Sequence, residues 1–385
     1  MKTLLNQHAL ELRQGGIRAF FDKAAHLEDV VSLGIGEPDF ATPRELIDES
    51  YRRMLAGATH YTQNAGAIET RTAVAEFLRT YGIERDPETE IIMTCGGMGA
   101  LSLAFLCLLN PGDEVLIQDP QWLNYRAQVI FCGGVPVPVP VFEEDEFRLN
   151  VDKLEQFVTD RTKVLIINSP NNPTGAMLNG EDLKAISAFA KRHDIFVISD
   201  EVYSGLVYDG REHLSIGALP EMGERTLVIN SFSKLFAMTG WRLGFAAGNR
   251  EMIYKMTLLQ ENLSACAPAP AQAVAKLALE TMCGTEKMRE VYHARRDIMV
   301  DGLNGVKHVS CIRPKGAFYL FANIKETGLS SVEFADRLLA EQRVVAIPGT
   351  AFGEHGEGYL RISYANSNEN LYKALERINR FAETI

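Results

Sequence analysis

Ser231-Phe232-Ser233-Lys234-Leu235-Phe236-Ala237-Met238-Thr239-Gly240-Trp241-Arg242-Leu243-Gly244 comes just after the apolar run Thr226–Ile229. An apolar run that breaks into two hydroxyls, a lysine and an arginine reads as a buried strand whose end opens into a site. A lysine at a strand end is presented to a ligand rather than lost on a flank, and its amine is a nucleophile toward aldehydes. Two serines and an arginine are the groups that hold a phosphate. A solvated surface loop has the same residue types, so the surrounding segments decide between the two.

Outward from this stretch, short apolar runs alternate with longer amphipathic ones. Ile91–Thr94, Val115–Ile117, Val135–Val141, Val164–Ile167, Phe196–Ile198, Leu227–Ile229 and Leu243–Ala246 read as seven strands. Helical patterns separate most of them; Ala185, Ile186, Phe189 and Ala190 share one helix face. Such alternation predicts an α/β fold: a large domain with a mostly parallel seven-stranded sheet covered by helices. Ligands on such sheets sit beyond the carboxyl ends of the strands, where the polar motifs fall.

The C-terminal part has a different rhythm. A charged helical stretch near 285–305 precedes the runs Phe318–Phe321, Val344–Ile347 and Tyr359–Tyr364. Ser330 with Glu333 predicts a capping box for the helix between the first two. The last helix carries Leu371, Ala374, Leu375, Ile378 and Phe381 on one stripe. Thr42-Pro43-Arg44-Glu45 predicts a helix start, with Thr42 as cap and Pro43 at the first helical position. The expected division is a smaller α+β domain from residues 1–45 and 285–385 and a large domain over 46–284.

The chain has 385 residues, too many for one ordinary core. Its net charge of −11 argues against nucleic acid or an anionic membrane as partner. The six cysteines, Cys95, Cys107, Cys132, Cys266, Cys283 and Cys311, form no Cys-x-x-Cys pair, so neither a zinc site nor a disulfide framework is expected. The opening MKTLLNQHALELRQGG lacks the apolar core of a signal peptide. No run of about 18 apolar residues is present to span a membrane. A reducing cytoplasmic location is the expectation.

Three further segments follow strands, and two single residues join them. Ser169-Pro170-Asn171-Asn172-Pro173-Thr174-Gly175 holds an asparagine between two prolines that fix its backbone. Asp200-Glu201-Val202-Tyr203 ends another run; a buried carboxylate there calls for a cation such as a protonated ring nitrogen, and Tyr203 is near enough in sequence to donate to the same ring. Cys95-Gly96-Gly97-Met98-Gly99-Ala100-Leu101 enters an apolar helix over Ala100–Leu109, which makes an anion site of its N-terminus. Its spacing, with Asp119 about 20 residues on, also approaches a dinucleotide fingerprint, but the third glycine is missing. Trp122 offers a flat ring to stack on a planar ligand. Arg361, inside the apolar pattern Tyr359–Tyr364, needs an anion if it faces inward, and its planar fork suits a carboxylate.

Taken together and in order, from Gly36-Glu37-Pro38-Asp39-Phe40 to Arg361, these segments resemble the class I/II aminotransferases, of fold type I among pyridoxal-phosphate enzymes. The resemblance implies that Lys234 bonds pyridoxal 5'-phosphate and serves as catalytic base. It implies that Asp200 meets the ring nitrogen, that Tyr203 and Asn172 donate to the ring hydroxyl, and that Trp122 stacks on the ring. Gly97, Met98, Ser231, Ser233 and Arg242 are implied as the phosphate's partners, and Tyr61 as reaching the phosphate of a neighbouring subunit in a homodimer. Gly36 and Arg361 are implied as holding the α-carboxylate of an amino acid or 2-oxo acid, with Trp122 and Asn172 beside it. Members that act on aspartate often carry a lysine where Met98 stands, so neutral or aromatic donors are expected. Carbon–sulfur lyases and synthases share this fold and most of these motifs and form the alternative.

Overall fold

The computed structural model describes residues 4, 9–10 and 16–385. Most of the N-terminal segment read above against a signal peptide lies outside the described residues. Twelve strands are present among the described residues: β1 (Val31–Ser32), β2 (Ile91–Cys95), β3 (Glu114–Asp119), β4 (Val135–Pro140), β5 (Thr162–Asn168), β6 (Phe196–Asp200), β7 (Thr226–Ser231), β8 (Leu243–Ala247), β9 (Tyr319–Asn323), β10 (Val344–Val345), β11 (Ile347–Pro348) and β12 (Tyr359–Ser363).

Seven of them form the expected sheet, in the order β2-β8-β7-β6-β5-β3-β4. Pairing is parallel from β7 to β4, while β8 runs antiparallel to both β7 and β2. Both faces are buried, so the strands read as continuous apolar runs. In β5, Leu165 and Ile167 pack on one face with Phe189 and Ile186, whereas Val164 and Ile166 pack on the other with Phe105 and Val129. Strand β4, with prolines at 136, 138 and 140, lies at an edge, where missing N–H groups leave no ladder bond unmade.

This topology disposes of the dinucleotide fingerprint. That motif needs its strand and the next one side by side in a βαβ unit. Here β2 is at one edge, paired with β8, and β3 lies between β4 and β5. Asp119, the would-be ribose ligand, instead meets His355 Nδ1 through Oδ2 at 2.9 Å.

Residues Gly16–Ala24, β1 and the chain from Thr285 onward build around a second sheet, β11-β12-β9, which is antiparallel throughout. The two-residue β1 pairs with β10. Helix Thr285–Asn304 is 20 residues long, and helix Asn368–Ala382 buries Leu371, Ala374, Ile378 and Phe381 as its stripe foretells. Ser330 accepts from the Glu333 N–H at 3.2 Å, the first half of the expected capping box. One apolar cluster continues from one face of the large sheet, through Leu116, Leu165 and Val197, to Phe318, Leu320 and Phe334.

Two local expectations change. The helix after Thr42 runs Arg44–Leu55 with Pro43 as its cap residue and no side-chain cap. The Thr42 hydroxyl is engaged elsewhere: it donates to the Ala237 carbonyl at 2.7 Å and accepts from Trp241 Nε1 at 3.0 Å. The helix after β2 begins at Gly96, not Ala100, and spans Gly96–Leu108, so Gly97, Met98 and Gly99 lie inside its first turn.

Candidate active site

Strands β2, β3, β5, β6 and β7 end at Cys95, Asp119, Asn168, Asp200 and Ser231. Beyond these carboxyl ends, and facing Tyr319 and Arg361 of the second sheet, lies a cavity of about 540 Å³. Twelve of the thirteen anticipated site residues line it: Gly36, Gly97, Met98, Trp122, Asn172, Asp200, Tyr203, Ser231, Ser233, Lys234, Arg242 and Arg361. Tyr61 does not, and is 87% exposed on its own chain.

Lys234 sits in the four-residue helix Phe232–Leu235, started by Ser231, whose Oγ accepts from the Ser233 N–H at 3.1 Å. Its Nζ donates to the Gly36 carbonyl at 2.6 Å. Burial pulls the Lys234 ammonium down to about 8, partly offset by the Glu37 carboxylate, with Arg361 and Arg242 lowering it further. A lysine so placed is a competent nucleophile and base near neutrality.

Asp200 is buried at the end of β6. Tyr125 donates its hydroxyl to Oδ2 at 2.5 Å, and the Val202 N–H reaches Oδ1 at 3.3 Å. Desolvation pushes the carboxyl up to about 6; those two donors hold it down against Glu201, whose charge adds to the rise. Asn168 fixes the neighbourhood, with its Nδ2 donating to the Asp200 carbonyl and its Oδ1 accepting from the Asn172 N–H. The hydroxyls of Tyr203 and Tyr319 meet at 2.9 Å.

A third group gathers at the other end of the cavity. Ser231 Oγ and Ser233 Oγ are 2.9 Å apart, and Arg242 is anchored through a bond from Nη1 to the Thr239 carbonyl at 2.8 Å. Helix Gly96–Leu108 points its first-turn N–H groups here, and these have no carbonyl one turn back to bond. Gly96 has φ +70°, and a Cβ on it would stand 2.7 Å from Arg242 Nη2, so glycine lets the guanidinium lie against the backbone. Hydroxyls, a guanidinium and helix N–H groups converging in one place make a set fitted to a phosphate dianion.

Arg361, in the middle strand of the second sheet, is 2% exposed. It donates to the Gly34 carbonyl at 2.5 Å and to Asn172 Oδ1 at 3.2 Å, while its buried Nε has no partner. Tyr319 and Phe352 face the guanidinium at 4.7 and 4.8 Å. No carboxylate among the described residues pairs with it, and desolvation lowers its pKa. A buried cation without a counter-ion is expensive, and it is the expected design of a site completed by an anionic ligand.

The residues therefore fit pyridoxal phosphate and an α-amino acid. An amine stands between a carboxylate able to meet a ring nitrogen and a cradle able to hold a phosphate, with an unpaired arginine facing them. Trp122 supplies a flat wall, its ring edge-on to Tyr125 at 5.2 Å.

The family model for aminotransferases of class I and II matches residues 28–378. The chain belongs to this family. It is 46% identical over 368 residues to aromatic-amino-acid aminotransferase 2 of Thermococcus litoralis, covering 94% of each chain. It is 47% identical over 368 residues to an aspartate aminotransferase of Pyrococcus abyssi, again with 94% of each covered. The solved aromatic aminotransferase of Pyrococcus horikoshii OT3 superposes with a TM-score of 0.91 at 46% identity, covering 95% of this chain and 99% of that one. The protein is thus a transaminase by family, and its central sheet is that of the family's fold.

Among the lining residues that escape the sequence reading are Phe21, Tyr125 and Tyr319. Tyr125 had a signal, since it follows Trp122 by three residues across the turn that starts helix Asn124–Phe131. Tyr319 had a weaker one, as a member of the apolar run Phe318–Phe321, whose strand pairs with that of Arg361. Phe21 comes from a segment with no motif.

Proposed function

We propose that the protein moves an amino group between a neutral or aromatic L-amino acid and a 2-oxo acid, using pyridoxal 5'-phosphate held at Lys234. The observation that carries the reading is the half-buried Lys234 amine, its pKa lowered by desolvation, in one cavity with Asp200 and the unpaired Arg361. When bound, the cofactor supplies an aldehyde that condenses with amines and a protonated ring that withdraws electrons from the substrate's Cα.

The chain's own residues do the rest. Asp200 would keep the ring nitrogen protonated, Tyr203 and Asn172 would donate to the ring hydroxyl oxygen, and Trp122 would cover one ring face. Gly97, Met98, Ser231, Ser233 and Arg242 would hold the phosphate. Arg361, with the Gly36 backbone, would grip the α-carboxylate and so turn the Cα–H toward the Lys234 amine, which would take up that proton as general base.

Two observations support the substrate class. Among the described residues, the cations lining the cavity are Lys234, Arg242 and Arg361, each already given a task, so none of them is left for a distal carboxylate. Phe21, Ile35, Met98, Leu101 and Trp122 give it an apolar wall.

A homodimer completes the reading. Helix Arg44–Leu55 leaves Ile47, Tyr51, Met54 and Leu55 exposed, a stripe at helical spacing that turns away from the core, and exposed Tyr61 follows it. A second copy would cover this stripe and receive Tyr61 at its phosphate. The domains fall at residues 1–45 with 285–385 and at 46–284, which puts the site between them. The six free cysteines suit a reducing, cytoplasmic compartment, and among the described residues no helix is long and apolar enough to cross a membrane.

Borohydride reduction of the holoprotein, followed by peptide mapping, tests the reading at its base. The label is expected on Lys234; a label elsewhere, or none, overturns it. Amino-donor profiling with 2-oxoglutarate tests the substrate class, and a clear aspartate preference refutes it. Pyruvate released from cystathionine without any oxo acid would instead mark a lyase.

A further inference from the structure

The Asp200 carboxylate has two oxygens and, from the described residues, one donor to each. The bond at Oδ1, from the Val202 N–H, is long at 3.3 Å. The bond at Oδ2 is short, and its donor, the Tyr125 hydroxyl, is itself buried. Tyr125 lies in the first turn of helix Asn124–Phe131, on the side of the cavity that Trp122 walls, and reaches 75 residues along the chain to Asp200. Nothing in the fold requires the hydroxyl: a phenylalanine would fill the same space and keep the edge-on contact with Trp122.

We propose that Tyr125 is a positioning residue for Asp200, its hydroxyl fixing the carboxylate's orientation and holding it ionised so that the remaining lone pairs face a protonated ring nitrogen. This rests on the cofactor reading given above. The physical case is one of competition. Burial in a low-dielectric site favours the neutral acid, which would present a proton to the ring instead of accepting one. A buried phenol can donate to the anion and so offset that tendency. The groups bearing on the carboxyl are Tyr125 and Val202, which favour the anion, and Glu201, which disfavours it. Glu201 is turned away and bonded to Ser199, Ser215 and His213, so it cannot replace the lost donor. The neighbouring Tyr203 hydroxyl is engaged by Tyr319.

The test uses the holoenzyme with Tyr125→Phe, Tyr125→Leu and Asp200→Asn. Tyr125→Phe is expected to lower kcat roughly 10- to 100-fold, the loss of one bond to a charged group, with KM for the amino donor little changed. The acid limb of the kcat profile is expected to move to higher pH, because a carboxyl stripped of its donor holds its proton longer. Cofactor release, followed by absorbance after dilution, is expected to speed up by a similar factor. In the Asp200→Asn background the same change is expected to add almost nothing, since there is no anion left to position. A purely packing role predicts the opposite pattern: Tyr125→Phe silent, Tyr125→Leu damaging, and the pH limb unmoved in both. That pattern, or full additivity with Asp200→Asn, overturns the proposal. If the wild-type protein binds no cofactor, the underlying reading fails instead, and the two failures are told apart.

Discussion

Replacing Arg361 by methionine separates a substrate-binding arginine from a structural one. The guanidinium has five N–H donors, of which the structure engages two, both with neutral oxygens. Its charge is unpaired and buried. A docked carboxylate would add two charge-assisted bonds at about 1.5–3 kcal/mol each, or roughly 10²- to 10⁴-fold in kcat/KM. Folding stability should move the other way or not at all. Exchanging a desolvated, unpaired cation for an apolar side chain of similar length is often neutral or stabilising, and methionine still packs on Tyr319 and Phe352. The two acceptors it abandons border the cavity, where water can replace the lost donors. The assay has two arms. Steady-state kinetics compare an amino acid with the amine that lacks its carboxylate: Arg361→Met should cost the first its 10²- to 10⁴-fold and leave the second nearly unchanged. Urea unfolding of the cofactor-free protein should stay within about 1–2 kcal/mol of wild type. Equal losses on both substrates, or a stability drop of about 4 kcal/mol or more, would refute the reasoning.

The other predictions concern charge, pH, assembly and packing. Met98→Lys should raise the preference for aspartate over a neutral donor by about tenfold, measured as a ratio of kcat/KM, since it supplies the missing cation. Lys234 loses its proton near pH 8 in the folded chain but at its ordinary 10.5 when unfolded. The unfolded chain therefore binds more protons between those values, and the cofactor-free protein should gain stability, on the order of 3 kcal/mol, as pH rises through that window. Urea midpoints should show this gain in the wild type and not in Lys234→Met. Tyr61→Phe should weaken cofactor retention although the residue lies outside its own chain's cavity, and sedimentation should give twice the mass of one chain; a monomer with full cofactor affinity would contradict the shared site. Gly353 has φ +138° and a Cβ there would fall 1.7 Å from Asp119 Oδ1. Gly353→Ala should destabilise by about 1–3 kcal/mol and separate His355 from Asp119, measurable by denaturant melts.

What the sequence disclosed follows the physics of burial. Six of the seven strands of the large sheet were visible because their side chains are buried on both faces, which forces unbroken apolar runs such as Val164–Ile167 to stop where the chain meets the site; the edge strand β4 is partly exposed and shows instead as alternating valine and proline. The site's strand-end residues were visible for the same reason: Asp200 and Lys234 break such runs with groups that burial penalises. Pairings that depend on distant partners were not visible. Nothing local tells Val31–Ser32 to pair with Val344–Val345, and no composition marks β8 as the reversed strand. The Thr42 cap failed because a hydroxyl suited to capping found partners at Ala237 and Trp241, some 200 residues away. The helix at Gly96 starts early because its glycines do not block a first turn already fixed by the strand before it. Tyr125 was missed because its one local signal, standing three residues after Trp122, does not say what its hydroxyl serves until Asp200 has been brought across from another strand.

The reversed strand β8 has a mechanical meaning. Because it returns beside β7, the eleven residues from Phe232 to Arg242 form a short arch sewn down at both feet by ladder hydrogen bonds, Ser231 facing Gly244 on one side and Cys95 facing Leu243 on the other. An arch held that way has little freedom to swing. Turnover must then rely on rotation of the Lys234 side chain about its own carbon stem, a fast and local event, rather than on slow excursions of the backbone that carries it.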